Sequence, residues 1–295
     1  MRAFNAPQSG SLPAAIAARA SATTAAYNAP ESSPAGGRAA CIVIPYAFVN
    51  ARQPSTVTEV IARLRALESP PSRSDGVACF ARLYREVTEG VAAELGQHTF
   101  ANPHFLERLD VYFANLFFAA LDEYERAPAG APHAWLPLFA QRSRKGVAPL
   151  QFALAGMNAH INRDLPVALV ATCQELGIDL RDRSPEQADF ERVNGLLASV
   201  EARIKRSYVT GWLSVADRLL HRFHRIDDVI AMWDVERARA AAWTNGLALW
   251  KLRDDPALTA SFLLALDRMV GLAGRGLMIP ADTALQKLGR FFSRL

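Results

Sequence analysis

From Thr56 onward the chain spaces its apolar residues three and four positions apart, and no segment alternates them with period two. Thr56-Val57-Thr58-Glu59 reads as a capping box, with Val60, Ile61, Leu64 and Leu67 on one face behind it. After a turn-rich linker at Ser69–Gly76, the residues Val77, Phe80, Tyr84, Val87, Val91 and Leu95 trace a second helix. Asn102-Pro103 supplies an N-cap and a first-turn proline for a helix to about Tyr124. A short helix is expected over Trp135–Arg142. A long apolar helix opens at Pro149 and runs through Asp164, where Pro166 is expected to kink or break it before Val167–Leu176; Gly177 serves as a C-cap. Ser184-Pro185-Glu186-Gln187 starts another helix, and two more cover Trp212–Trp233 and Val235–Leu252. Asp255-Pro256 opens the last major one, and the glycines from Gly271 to Gly276 read as a turn before the tail. The pattern predicts an all-α, single-domain multi-helix bundle over residues 51–295, preceded by a flexible Ala/Ser/Pro-rich leader over 1–50.

Composition narrows the class. With 51% hydrophobic and 21% charged residues among 295, the chain can bury a large core, and the leader takes little of it. The net charge of +4 is spread among neighbouring acids, as in Arg181-Asp182-Arg183, so no nucleic-acid partner is expected. The basic tail Gln286–Leu295 carries Leu and Phe residues that suit docking of a last helix on the core. Cys41, Cys79 and Cys173 are widely separated, which fits free thiols in a reducing, cytoplasmic setting. No apolar run reaches the roughly 18 residues of a membrane span, so no transmembrane segment is expected.

Chemistry is sought where polar groups fall on apolar helix faces. Asp110 lies within the stripe of Leu106, Phe113, Phe117 and Leu121, and a buried carboxylate there needs a partner or a role. Gln151, Asn158 and Asn162 share one edge of the apolar helix from Pro149. His160 and Asp164 share another edge at i, i+4. Gly156 on the same helix permits close approach of a neighbour. These amides either hold the bundle together or line a cavity. The His160/Asp164 spacing can orient an imidazole as a general base or hold a metal ion, with Asp110, Glu107 or His104 as further ligands from a neighbouring helix. Asp217, His221, His224 and Asp228 form the most metal-like spacing in the chain, but lie opposite the apolar face of their helix and read as solvent-facing ion pairs. Arg239 and Trp243 share a face with Glu236. Arg239 is a candidate counter-ion for Asp110, or for an anionic group of a ligand. No phosphate loop, dinucleotide fingerprint, nucleophile elbow or His-Glu-x-x-His motif occurs.

Several of these residues also carry a resemblance. The blocks Asp75–Tyr84 with Val87-Thr88, Leu109–Asn115, Gly156–Leu165 and Ala238-Arg239 with Ala242-Trp243 resemble the bacterial family called domain of unknown function 5995, over about Thr56–Leu252. The resemblance implies a fold and a shared set of residues, and no reaction. A weaker likeness, to the all-α zinc phospholipase C and nuclease group, rests on His-x-x-x-Asp alone.

Two readings of function follow. In the first, the protein is an enzyme acting on a small apolar metabolite by hydrolysis or rearrangement. Asp110, His160 and Asp164 are then the catalytic set, and the same three residues the candidate ligands of a divalent metal. Asn158, Asn162, Arg239 and Trp243 hold the small-molecule substrate. In the second, the same residues close a structural network in a non-catalytic binding or interaction protein.

Overall fold

A computed structural model of the chain describes residues 53–68, 75–95, 100–195, 197 and 234–280. Among the described residues the regular structure is entirely helical. The leader at 1–50, the helix expected over Trp212–Trp233 with its Asp217, His221, His224 and Asp228, and the tail Gln286–Leu295 lie outside the described residues.

The helices are α1 (Val57–Glu68), α2 (Gly76–Leu95), α3 (Pro103–Arg126), the single turn α4 (Leu136–Phe139), α5 (Pro149–Ala159), α6 (Leu165–Leu176), α7 (over 185–195), α8 (Val235–Leu252) and α9 (Pro256–Leu277). Their starts follow local chemistry. Asn102 Oδ1 accepts from the Phe105 amide at 3.1 Å, and Asp255 Oδ1 accepts from Ala257 and Leu258 at 3.0 Å each. Ser184 Oγ accepts from the Gln187 amide at 3.1 Å. At α1 the Glu59 amide donates to Thr56 Oγ1 at 3.2 Å, while the Glu59 carboxylate accepts from the Ser55 amide and hydroxyl at 2.7 and 2.9 Å. Gly177 ends α6 with φ of 65°, the left-handed C-cap expected of it.

Two large buried clusters, with a small third one of Leu83 and Ala153, form the core of the described residues. One gathers Phe80, Phe117, Phe118, Trp135, Phe139 and Phe152. The other gathers Phe105, Leu116, Leu165, Leu169, Phe190 and Trp243. The helix of Pro149–Leu176 serves both: α5 contributes Phe152, Ala155 and Ala159 to the first, and α6 contributes Leu165, Ala168 and Leu169 to the second.

The change of face falls on a π-helical turn, His160–Asp164, that joins α5 to α6 without a break. Pro166 therefore neither breaks nor ends the helix. A proline lacks the amide that would bond to Asn162, and its ring crowds that carbonyl. The widened turn relieves the crowding, and the Leu165 amide reaches back five residues to the His160 carbonyl.

Two further expectations are corrected. The segment at Trp135 is helical only over Leu136–Phe139. The glycines Gly271–Gly276 do not make a turn; α9 runs through them to Leu277. Their smallness serves contact instead: a Cβ on Gly271 would lie 2.4 Å from the His133 carbonyl oxygen, and one on Gly274 3.1 Å from Pro137. By length and composition alone α9 could cross a membrane, but it is partly buried, and its Thr259, Leu266, Asp267, Val270, Gly271 and Gly274 face the body. Gly156 allows the close approach expected of it, with the Phe80 ring 2.3 Å from where its Cβ would stand.

The contact at Gly271 is testable against a glycine on the same helix. Gly271→Ala meets backbone atoms that cannot swing away, and should cost about 1–3 kcal/mol in urea denaturation. Gly276→Ala meets nothing within 4 Å and should be neutral or stabilise by up to about 1 kcal/mol. Equal effects of the two substitutions would contradict the packing of α9.

Candidate functional site

The π turn places its polar residues inward. His160, Arg163 and Asp164 are all buried, and Asp164 has no exposed surface. Its carboxylate is held by three donors. Oδ2 accepts from the Trp135 indole at 3.0 Å and faces His160 Nδ1 at 3.4 Å; Oδ1 accepts from Arg163 at 2.7 Å. Arg163 continues to Asp267 of α9 at 3.7 Å. Asp267 in turn accepts from the His133 and Ala134 amides at 2.8 and 3.1 Å and meets His133 Nδ1 at 3.1 Å. A chain of alternating charges thus ties the central helix to α9 and to the loop before α4.

His160 sits among rings. Its imidazole stacks on Phe113 of α3 with centroids 3.4 Å apart and planes 5° from parallel, and meets Tyr84 of α2 edge-on at 4.4 Å. Burial holds its pKa below the ordinary histidine range, and the neighbouring Asp164 opposes that shift. A neutral imidazole that donates from Nδ1 to Asp164 leaves Nε2 as a lone-pair acceptor. That Nε2 is buried and has no hydrogen-bond partner among the described residues.

Asp110 is the second exception. It is half-buried as a residue, yet its Oδ2 is sealed and without a hydrogen-bond partner among the described residues. Burial alone pushes its carboxyl up to about 7. The expected counter-ion is not there: Arg239 donates from Nε to Asn194 Oδ1 and from Nη2 to the Phe190 carbonyl, at 2.7 Å each, and lies 3.9 Å over the Phe190 ring. Burial lowers the Arg239 guanidinium to about 9, which leaves it a cation at neutral pH. Asp110 is not hydrogen-bonded to His160 either. Tyr84, which meets the imidazole edge-on, has its phenol raised well above its usual range by burial and then by the charges of Asp110 and Asp164. The Tyr84 and Thr88 hydroxyls join His160 Nε2 and Asp110 Oδ2 among the buried polar atoms without a hydrogen bond of normal geometry.

The remaining expected site residues separate. Asn158 donates to the Val270 carbonyl at 2.9 Å and accepts from Asn162 at 3.2 Å, so both amides serve the seam with α9. Trp243 donates to Asp182 at 3.2 Å and packs on Phe190 at 5.1 Å, beside Arg239 in the second core cluster. Among the described residues no three His, Cys, Asp or Glu side chains are grouped to hold a metal ion, so Asp110, His160 and Asp164 do not form such a set. Cys79 and Cys173 are buried, and burial raises their thiols to about 11 and about 12, away from nucleophilic use.

Trp135, Arg163, Tyr84 and Asp267 belong to the site, and no spacing in the sequence singled them out. Asp267 stands within an apolar run of α9, and the test that picked out Asp110 would have found it. Arg163 lies in the widened turn and is buried there.

The arrangement defines an all-α protein with a buried Asp–His pair on a π turn and a second, isolated carboxyl nearby. The chain belongs to the family of unknown function DUF5995, whose model matches residues 57–280. The match extends beyond Leu252, where the resemblance in the sequence stops, and takes in α9 with its Asp267. No curated protein and no solved structure matches the chain.

The state of Asp110 has a measurable consequence. Its folded-state pKa, about 7, lies above the unfolded value of about 4, so between those values the folded state holds the extra proton. Stability should fall as pH rises through that window, by at most about 4 kcal/mol, and level off above it. Asp110→Asn should abolish this slope, so that it gains on the wild type from pH 5 to pH 8 in urea denaturation. Parallel pH profiles for the two proteins would show that Asp110 is not isolated.

Proposed function

We propose that the protein is an enzyme that moves a proton on a small, largely apolar metabolite, in a hydrolysis or a rearrangement. His160 Nε2 is the general base, Asp164 orients and stabilises the imidazole, and Asp110 is the second acid–base group. The observation that carries this reading is that His160 Nε2 and Asp110 Oδ2, the titratable acceptors among seven buried side-chain atoms without a hydrogen-bond partner in the described residues, are both left open. Buried polar atoms are satisfied in folded proteins as a rule, and exceptions mark sites where a partner arrives later.

The surroundings support this class of substrate. Phe80, Tyr84, Phe113, Phe117 and Trp135 all lie near the imidazole, with ring centroids between 3.4 and 6.4 Å away. Such walls favour an apolar body with one or two hydrogen-bonding atoms. Phe113 and Met157 are only partly buried and pack against both core clusters. The seam between the clusters is therefore the natural approach to His160. A neutral base and an acid with a pKa near 7 are each half-prepared for transfer at neutral pH.

A closed structural network accounts well for Asp164, Arg163 and Asn158, which are all partnered. It leaves His160 Nε2 and Asp110 Oδ2 unexplained, and a purely structural site would gain stability by replacing them with apolar groups.

The test works on an unidentified substrate. A metabolite extract incubated in heavy water with the protein should show one compound consumed, or labelled with deuterium, as read by mass spectrometry. His160→Gln, folded as judged by circular dichroism, should slow this by about 100-fold or more. Identical extracts after treatment with wild type and His160→Gln would overturn the proposal.

A further inference from the structure

The outer face of α9 is apolar and, among the described residues, uncovered. Leu258, Leu264, Met269 and Leu272 are exposed by 53, 44, 63 and 64%, and Ile279, two residues beyond the helix end, by 43%. On a helix of 100° per residue, Leu258, Ala265, Met269 and Leu272 fall within one narrow stripe along its length. Single exposed apolar residues are ordinary, but an aligned row of large ones marks a contact surface.

The exposed charges of α9 itself, past its first turn, have one sign. Arg268 and Arg275 are exposed on its flank, and the one acid of α9, Asp267, is buried against His133, Ala134 and Arg163. The loop before α5 adds the exposed Arg144 and Lys145, and it adjoins the end of α9: a Cβ on Gly146 would lie 3.7 Å from Pro280. The acids Asp254 and Asp255 stand at the opposite, N-terminal end, beyond Leu258.

We propose that the C-terminal part of this face, Leu264 to Ile279, docks the protein on an anionic lipid surface. Met269, Leu272 and Ile279 enter the boundary between headgroups and acyl chains, while Arg268, Arg275, Arg144 and Lys145 meet the lipid phosphates. The acidic end of α9 tilts away from the surface. A second copy of the chain is a poorer occupant, because two-fold pairing of the face sets Arg268 and Arg275 against their own equivalents with no exposed acid of this part of the helix to offset them.

Flotation of the full chain with lipid vesicles tests this. The protein should float with mixed phosphatidylcholine–phosphatidylglycerol vesicles and remain below with phosphatidylcholine alone, and added salt should weaken the binding. Arg268→Gln and Arg275→Gln should each lower partitioning by about fivefold. Met269→Glu with Leu272→Glu should abolish it. These positions are exposed, so the variants should keep the wild-type Tm. Failure to float with the mixed vesicles, or flotation unchanged by both sets of substitutions, would overturn the proposal. A wild-type dimer in light scattering that Met269→Glu with Leu272→Glu turns into monomer would overturn it too, by assigning the face to a second copy. None of these readouts depends on catalysis at His160.

Discussion

Asp164 has no contact with solvent, and a carboxylate in that position is tolerated only when protein groups replace its hydration. The three donors that do so come from different places: Trp135 from the start of α4, Arg163 from the adjacent position in the chain, and His160 from four residues before. Meeting that demand fixes much else. Trp135 must lie against the central helix, where it also stacks on Phe139 at 5.2 Å. Arg163 must turn inward, and its second carboxylate, Asp267, brings α9 against the body and secures the His133–Ala134 loop by its amides. The glycines of α9 allow the approach that this charge chain requires.

The π turn reconciles these demands with packing. α5 and α6 face different core clusters, and the wide turn between them carries the change of face without interrupting the helix. It also sets three kinds of polar group, imidazole, guanidinium and carboxylate, inside an apolar bundle. The network is complete around Asp164 and incomplete around His160 Nε2 and Asp110. Saturation at one end holds the imidazole in place; at the other, Nε2 has no hydrogen-bond partner among the described residues, and the proposed function rests on that asymmetry.

Local chemistry made most helix starts legible in the chain. Asn102, Ser184 and Asp255 cap as their spacing predicts, because a cap is a contact within four residues. The position of Asp110 on an apolar stripe and the adjacency of His160 and Asp164 were legible for the same reason. That the helix would run past Pro166 through a π turn rather than break, and that α9 would run through its glycines, were not. A proline or glycine lowers local helix propensity, and tertiary contact decides whether the chain continues. The π turn answered the one, and the close approach of His133 and Pro137 the other. The pairing of Asp110 with Arg239 failed because a helical wheel assigns a face and not a neighbour: Arg239 faces Phe190 and Asn194. Trp135 entered the site as a donor from a loop with no periodicity to announce it.

The claim on which the account rests most is that His160 is a neutral imidazole whose Nδ1–H is committed to Asp164 and whose Nε2 is free. Nitrogen-15 NMR of the labelled ring reads protonation and tautomer directly. At pH 7 the account predicts a neutral ring protonated on Nδ1 alone, which becomes doubly protonated only below the ordinary histidine range and loses its tautomer preference in Asp164→Asn. A doubly protonated ring at pH 7, or a proton on Nε2 in the wild type, would contradict it.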